Sequence, residues 1–227
     1  MNVLGIDTAT AASAVCVLRS DGEAFEVEPA PQRLLERPGH ATELMPAVAG
    51  RMEDAGLGWA DLDAIAVGVG PGMFTGLRIG VATARGLATS TGLELRPVSS
   101  LAALAGPGVG GGTGLVLALI DARRGEVFAA LHEANGTEVS APFVARPEAV
   151  AERIGAQEVA PLAVGDGAVH YREVLEAAGA KVAPDDSQAH VVRGLAICRL
   201  GASVAPVAVE AVLPDYLRLP DAKPRTA

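Results

Sequence analysis

Short runs of apolar residues recur along the chain, and each run ends in a polar or glycine-containing turn. The runs are rich in Ala, Val, Leu and Ile, which is typical of strands that are buried on both faces. Longer segments between them carry apolar residues at four-residue spacing, which predicts helices with one buried face. Strands are expected at 2–6, 14–18, 24–27, 64–69, 94–98, 115–120 and 126–131. This alternation of strands and helices predicts an α/β fold.

The most distinctive stretch joins the strand at 64–69 to the helix that follows it. Glycine and proline in the turn allow a tight reversal at little steric cost, and Thr75 is a candidate N-cap of the helix. Small residues then recur on one helix face, at Gly76, Gly80 and Ala84. A glycine inside a helix costs roughly 1 kcal/mol relative to alanine. We therefore expect this face to approach another backbone closely.

Three interpretations of the small-residue face are open from the sequence. It packs on the chain's own sheet, it docks against a helix of a partner protein, or its N-terminus binds an anion such as phosphate. A Walker A loop is excluded, because Leu77 and Arg78 stand where that motif requires Lys and Ser or Thr. The apolar stripe of Leu44, Val48 and Met52 on the preceding helix is typical of a core-facing surface, with a partner surface as the alternative.

A strand, an Asp turn and a second strand occur twice, once around Asp7 and Thr8 and again around Asp121. In one group of nucleotide-binding folds such a turn holds a phosphate and its metal ion, although an ordinary Asp/Thr turn is the commoner reason for the spacing. The two copies indicate an internal duplication, and a glycine-rich stretch between them is the candidate boundary. We expect lobes at 1–105 and 106–227, with the C-terminal segment packing back on the first lobe.

Composition narrows the classes of function. Half of the 227 residues are hydrophobic, and the net charge is −9. Direct nucleic-acid binding by this chain alone is disfavoured, because it usually needs a basic patch and a high pI. Cys16 and Cys198 lie in a predicted strand and a predicted helix, without disulfide or metal spacing. No apolar run reaches membrane-spanning length and no charged leader precedes the first strand, so we expect a cytoplasmic protein with no membrane partner.

Four stretches of the sequence resemble the TsaB (YeaZ) family. They are GIDTAT at 5–10, GPGMFTGLRIG at 70–80, IDARRGEVF at 120–128 and YLR at 216–218. They cover nearly the whole chain in order, and the second is highly specific. The resemblance implies the ASKHA fold of actin, Hsp70 and sugar kinases, an α/β architecture with two lobes that are each a mixed sheet with flanking helices. This agrees with the duplication inferred from the Asp turns.

The resemblance also implies a function. In the family, TsaB performs no known chemistry but binds its paralogue TsaD, which transfers threonylcarbamoyl to the tRNA adenosine beside the anticodon. The ATPase TsaE joins the same assembly, and tRNA would be contacted only indirectly. TsaB and TsaD meet through two helices of each N-terminal lobe, and a homodimer through the same helices is a further expectation. The corresponding interface residues here would be Leu44, Val48, Met52, Gly76, Gly80 and Ala84.

The chain departs from the enzymes of this fold in its candidate site residues. The segment 99–104 lacks the His pair with which TsaD binds a metal ion. Arg123 stands two residues after Asp121, where the second phosphate loop usually has glycine. The equivalent of the adenosine loop, with Gly165 and Gly167, is only partly glycine-rich. We interpret five residues as vestiges of a nucleotide site and expect neither a cofactor nor a metal: Asp7, Thr8, Asp121, Gly165 and Gly167.

An enzyme of the same fold is the alternative function. An ATPase or small-molecule kinase would use Asp7, Thr8 and Asp121 around a magnesium nucleotide. Arg123 argues against it, because a side chain at that position would occupy the space of a phosphate. A metallopeptidase is disfavoured because the chain lacks the histidine pair that such an activity would need.

Overall fold

The chain forms two five-stranded mixed sheets in a computed structural model that describes residues 1–28, 30–106, 109 and 114–218. The first sheet contains β1 (Val3–Asp7), β2 (Ala14–Leu18), β3 (Ala24–Glu26), β4 (Ala64–Gly70) and β5 (Glu94–Ser99). The second contains β6 (Leu115–Arg123), β7 (Glu126–Glu133), β8 (Glu138–Ala145), β9 (Leu162–Val164) and β10 (Lys181–Val182). The α/β class predicted from the sequence pattern is therefore confirmed.

The two sheets repeat one topology. The first has the order β3-β2-β1-β4-β5, and the second has the equivalent order β8-β7-β6-β9-β10. In each, the central strand pairs antiparallel with its hairpin partner on one side and parallel with a crossover strand on the other. The internal duplication predicted from the Asp turns is confirmed, because both Asp7 and Asp121 lie near the end of the central strand of their sheet.

Helices cover both faces of the first sheet. The helices of the chain are α1 (His40–Ala55), α2 (Phe74–Thr91), α3 (Ser100–Leu104), α4 (Pro147–Gly155), α5 (Asp166–His170), α6 (Arg172–Ala177) and α7 (Gly194–Ser203). Leu4 and Ile6 of β1 pack with α1 and α2, whereas Val3 packs with α7 on the opposite face. This alternation follows from the two-residue period of a strand. Both faces of β1 are thus core.

The C-terminal part of the chain lies against the first lobe. Helix α7 crosses β1 and β2 so closely that a Cβ on Gly5 would lie 2.6 Å from the sulfur of Cys198. Beyond it, the Val207 amide donates to Leu95 and the Asp215 amide donates to Val69. The lobe boundary at 105/106 stays a prediction, since most of the glycine-rich stretch and the residues from 219 onward lie outside the described residues.

Helix α2 begins two residues earlier than the predicted cap implies. Its N-cap is Met73 rather than Thr75, and no side chain caps it. The Met73 amide instead donates to the carbonyl of Ala9 at 2.7 Å, and the Leu77 amide donates to the carbonyl of Met73. The prediction of Thr75 as the cap was wrong because a contact with the first Asp turn, distant in sequence, fixes where this helix starts.

Candidate functional site

The first Asp turn, which contains Asp7 and Thr8, is buried in the protein. The Asp7 carboxylate accepts hydrogen bonds from the Ala9 amide at 2.7 Å and from the Ser100 hydroxyl at 2.5 Å. It lies directly over Gly68, where a Cβ would come 1.7 Å from Oδ2. Burial raises the pKa of Asp7 to about 6, although the two hydrogen bonds favour the charged form. The Asp7 carboxylate therefore already accepts the hydrogen bond of the Ala9 amide, which a phosphate bound at this turn would otherwise accept.

The glycines of α2 are required by Thr8. A Cβ on Gly76 would lie 2.1 Å from the Thr8 carbonyl oxygen, and one on Gly80 would lie 2.2 Å from the Thr8 hydroxyl. That hydroxyl in turn donates to the Gly76 carbonyl at 2.7 Å. Only glycine lets the helix backbone rest on the turn at this distance. Of the three interpretations of the small-residue face, packing within the chain is the one that the structure bears out.

The prediction that six residues form the partner surface is therefore corrected. All six are buried in the monomer: Leu44, Val48, Met52, Gly76, Gly80 and Ala84. The large side chains of α1 and Ala84 of α2 share one core with β1, β2 and β4, and Gly76 and Gly80 face Thr8. A partner cannot reach this face without displacing the first sheet.

The second Asp turn is closed by a local network. The Asp121 carboxylate accepts from the Arg123 amide at 2.8 Å and from its guanidinium at 3.0 Å. The Asp121 amide donates to the Asp166 carboxylate at 3.0 Å. Burial raises the pKa of Asp166 to about 6, and the nearby charge of Asp121 adds to the effect. Arg123 has a positive φ of 62° and bonds to Asp121 through both its backbone and its side chain.

Gly165 and Gly167 serve close packing. Gly165 has a φ of 103°, and a Cβ there would lie 1.9 Å from the carbonyl oxygen of Leu119. Its amide donates to Nδ1 of the buried His190 at 3.1 Å. Nothing in the sequence pattern indicated His190, because it comes from a separate turn 25 residues further along. Both glycines thus hold α5 on β6.

The structure brings together only part of the predicted nucleotide site. Asp121 is the one residue of the five that lines a cleft of about 430 Å³, together with Asp166 and the turn at Pro31–Leu35 of the first lobe. The other four predicted residues do not line this cleft: Asp7, Thr8, Gly165 and Gly167. The Ala9 amide of the first turn and the Asp121 and Arg123 amides of the second already donate to carboxylates of the protein, so these three donors are not available to a nucleotide phosphate. Within the part of the chain that the structure describes, no group of three or more His, Cys, Asp or Glu side chains is placed to hold a metal ion.

The outer faces of α1 and α2 form a second candidate site, which we call the outer helix face. Both helices lie wholly within the described residues. The outer helix face consists of the exposed positions in residues 40–49 of α1 and along α2: Ala41, Thr42, Glu43, Met45, Pro46, Ala49, Phe74, Thr75, Arg78, Ala82, Gly86, Thr89 and Ser90. Only Glu43 and Arg78 among them are charged. Glu53 and Asp54 are also exposed, but they lie at the C-terminal end of α1 and outside this face. Sequence reasoning missed this face, because its small side chains give a weaker signal than the aliphatic stripe beneath.

Two equivalent lobes, each with an Asp turn at the end of its central strand, define a protein of the ASKHA class. A family model described as TsaD, tRNA N6-adenosine threonylcarbamoyltransferase, matches residues 35–181. The Escherichia coli tRNA threonylcarbamoyladenosine biosynthesis protein TsaB is 32% identical over 96% of this chain and 95% of its own length. The chain belongs to the TsaB (YeaZ) family.

Further relatives agree with this assignment. A solved Pseudomonas aeruginosa structure, described as an uncharacterized protein similar to peptidase YeaZ, superposes with a TM-score of 0.80. It is 31% identical, and the match covers 96% of this chain and 99% of that one. An uncharacterized Mycobacterium leprae protein is 35% identical over 99% of this chain, which spans 57% of that protein's length. Among the described residues, no helix is both long and apolar enough to cross a membrane.

Proposed function

We propose that this chain is a non-catalytic subunit that binds a TsaD paralogue, with a TsaE-type ATPase joining the assembly. It would thereby support threonylcarbamoyl transfer to the tRNA adenosine beside the anticodon, in the cytoplasm. The observation that carries the proposal is the outer helix face, because an exposed surface with so few charges is typical of a protein interface. The net charge of −9 leaves tRNA contact to the partner.

The interface is assigned to side chains that point away from the first sheet. Met45 is 43% exposed on α1, and Pro46 and Ala49 lie on the same side of that helix. Ala82 and Gly86 are exposed on α2, where small residues permit close approach of another helix. The helix pair inferred from the family resemblance is retained in this proposal, but its contact residues are replaced.

Ala82→Arg is expected to weaken the complex with the TsaD paralogue at least tenfold. A long charged side chain at a close helix contact must be desolvated and has no space. Because Ala82 is exposed in the monomer, the unfolding transition should stay as in the wild type. Light scattering after gel filtration, followed by calorimetric titration, measures both the mass of the complex and its affinity.

The matched control is Ala149→Arg, which places the same side chain at an exposed helical position of α4 in the second lobe. It should bind like the wild type. Equal weakening by both variants would show that the effect is not specific to the outer helix face. If the wild-type chain gives no species at the summed mass at micromolar concentration, the subunit function is wrong.

One observation favours the ATPase or kinase as a second candidate. Burial raises the pKa of both Asp7 and Asp166 to about 6, and catalytic carboxylates often have such raised values. The purified chain would then hydrolyse ATP in the presence of magnesium, and Asp7→Asn would abolish that activity. Hydrolysis that survives in Asp7→Asn would indicate a contaminating ATPase.

A further inference from the structure

An aromatic and arginine cluster stands at the N-terminal end of α2, and we call it the Arg78 cluster. The guanidinium of Arg78 lies 3.8 Å from the centroid of the Phe74 ring. Its Nε donates to the hydroxyl of Tyr216 at 2.9 Å, and the two rings are 5.3 Å apart. Phe74 is 45% exposed and Tyr216 is 37% exposed. The cluster is thus a fixed unit at the surface.

The charge of Arg78 has no acidic partner within the described ranges of the chain. By contrast, Arg19, Arg33 and Arg172 each contact two carboxylates. Five other arginines of the described ranges also form no ion pair: Arg37, Arg85, Arg146, Arg153 and Arg199. Arg78 differs from them because an aromatic ring and a tyrosine hydroxyl together hold its guanidinium in place. Tyr216 engages Nε and Phe74 covers one face of the guanidinium, so the two Nη groups are left as donors. Such a fork matches the two oxygens of a carboxylate.

The cluster is arranged for binding at low entropic cost. A free arginine side chain loses rotamer freedom when it binds, whereas Arg78 already has its position fixed by Phe74 and Tyr216. Aromatic residues and arginine are also the residue types enriched at the centres of protein interfaces. Phe74 and Arg78 belong to the outer helix face, so one partner can cover the cluster and the rest of that face.

We propose that Arg78 is the charged anchor of the partner interface. The partner protein lays an apolar helix on the outer helix face and presents an Asp or Glu carboxylate to the two Nη groups of Arg78. Charge complementarity carries the assignment, because the only other exposed charge on that face, Glu43, is already paired with Arg33 at 2.5 Å. The inference rests on the proposed function and names the contact that fixes how the partner helix is placed.

The test is a titration of the purified TsaD paralogue with the wild-type chain and a set of variants. Arg78→Glu should weaken binding about thirtyfold, because it opposes the partner's carboxylate. Arg78→Lys keeps the charge but loses the fork, and it should weaken binding about fivefold. Tyr216→Phe keeps the ring but frees Nε, which predicts a loss of about threefold. The affinity of the wild type should also depend more steeply on salt than that of Arg78→Glu.

The control is Arg146→Glu, which makes the same charge change at an exposed residue before α4 and should leave the affinity unchanged. Equal binding by wild type and Arg78→Glu overturns the anchor and leaves the proposed function standing. No complex with the wild type overturns both. If Arg78→Glu dissolves a homodimer but leaves the complex intact, the anchor serves a second copy of the chain and the proposal is wrong.

Discussion

Gly76→Ala is expected to lower the free energy of unfolding by about 3 kcal/mol. The added methyl group would lie 2.1 Å from the carbonyl oxygen of Thr8. That atom belongs to the backbone of a buried turn, so no change of side-chain rotamer relieves the contact. Helix α2 must shift away from the turn, and the hydrogen bond from Thr8 to the Gly76 carbonyl is lost.

Gly86→Ala on the same helix provides the matched control. It makes the same substitution at an exposed position where a Cβ meets nothing within 4 Å. Helix propensity should therefore raise the stability by up to about 1 kcal/mol. Urea unfolding of the two variants measures both effects, which have opposite signs. If Gly76→Ala unfolds at the same urea concentration as the wild type, α2 does not rest on the first Asp turn.

The spacing of small residues predicted a close approach but could not identify the neighbouring backbone. Gly76 and Gly80 would have the same spacing whether they faced Thr8 or a partner helix, because glycine indicates only that some backbone lies close by. Which of these two backbones the glycines face depends on how α2 is rotated against β1 and β4. That rotation is set by contacts between residues that are distant in sequence. The aliphatic stripe with Leu44 was likewise assigned outward from family resemblance, although it is core.

The fold was more predictable than the candidate site because its signals are local. Each strand, hairpin and Asp turn is visible within a few residues, and their repetition indicated the two lobes before any contact was known. The site instead depends on pairs that are distant in sequence. Asp7 meets Ser100, 93 residues away, and Arg78 meets Tyr216, 138 residues away. No spacing rule of a single sequence predicts such pairs.

Asp7→Asn is expected to remove a large pH dependence of stability. Burial raises the pKa of Asp7 in the folded chain to about 6, above its usual value of 3.8. Between these two values the folded chain binds a proton that the unfolded chain does not, so the stability of the wild type falls as pH rises. One pKa unit corresponds to about 1.4 kcal/mol, so ionising Asp7 costs on the order of 3 kcal/mol in full.

Urea unfolding of both proteins between pH 5 and pH 8 measures the effect. Roughly half of this cost should appear in this range, as a loss of stability of the wild type relative to Asp7→Asn. Asp166 is common to both proteins, so its own raised pKa cancels in the difference. Parallel stability curves would show that Asp7 ionises as readily in the folded chain as in the unfolded one.

Ser100→Ala tests whether the pKa of Asp7 is the cause of this pH dependence of stability. The hydroxyl donates to the Asp7 carboxylate and favours its charged form, so its removal should raise the pKa of Asp7 further and shift the loss of stability to higher pH. Magnesium and ATP should leave all three pH profiles unchanged, because the carboxylate is sealed beneath Gly68 and Ser100. A magnesium-dependent fall in the pKa of Asp7 would instead support the ATPase alternative over the subunit function.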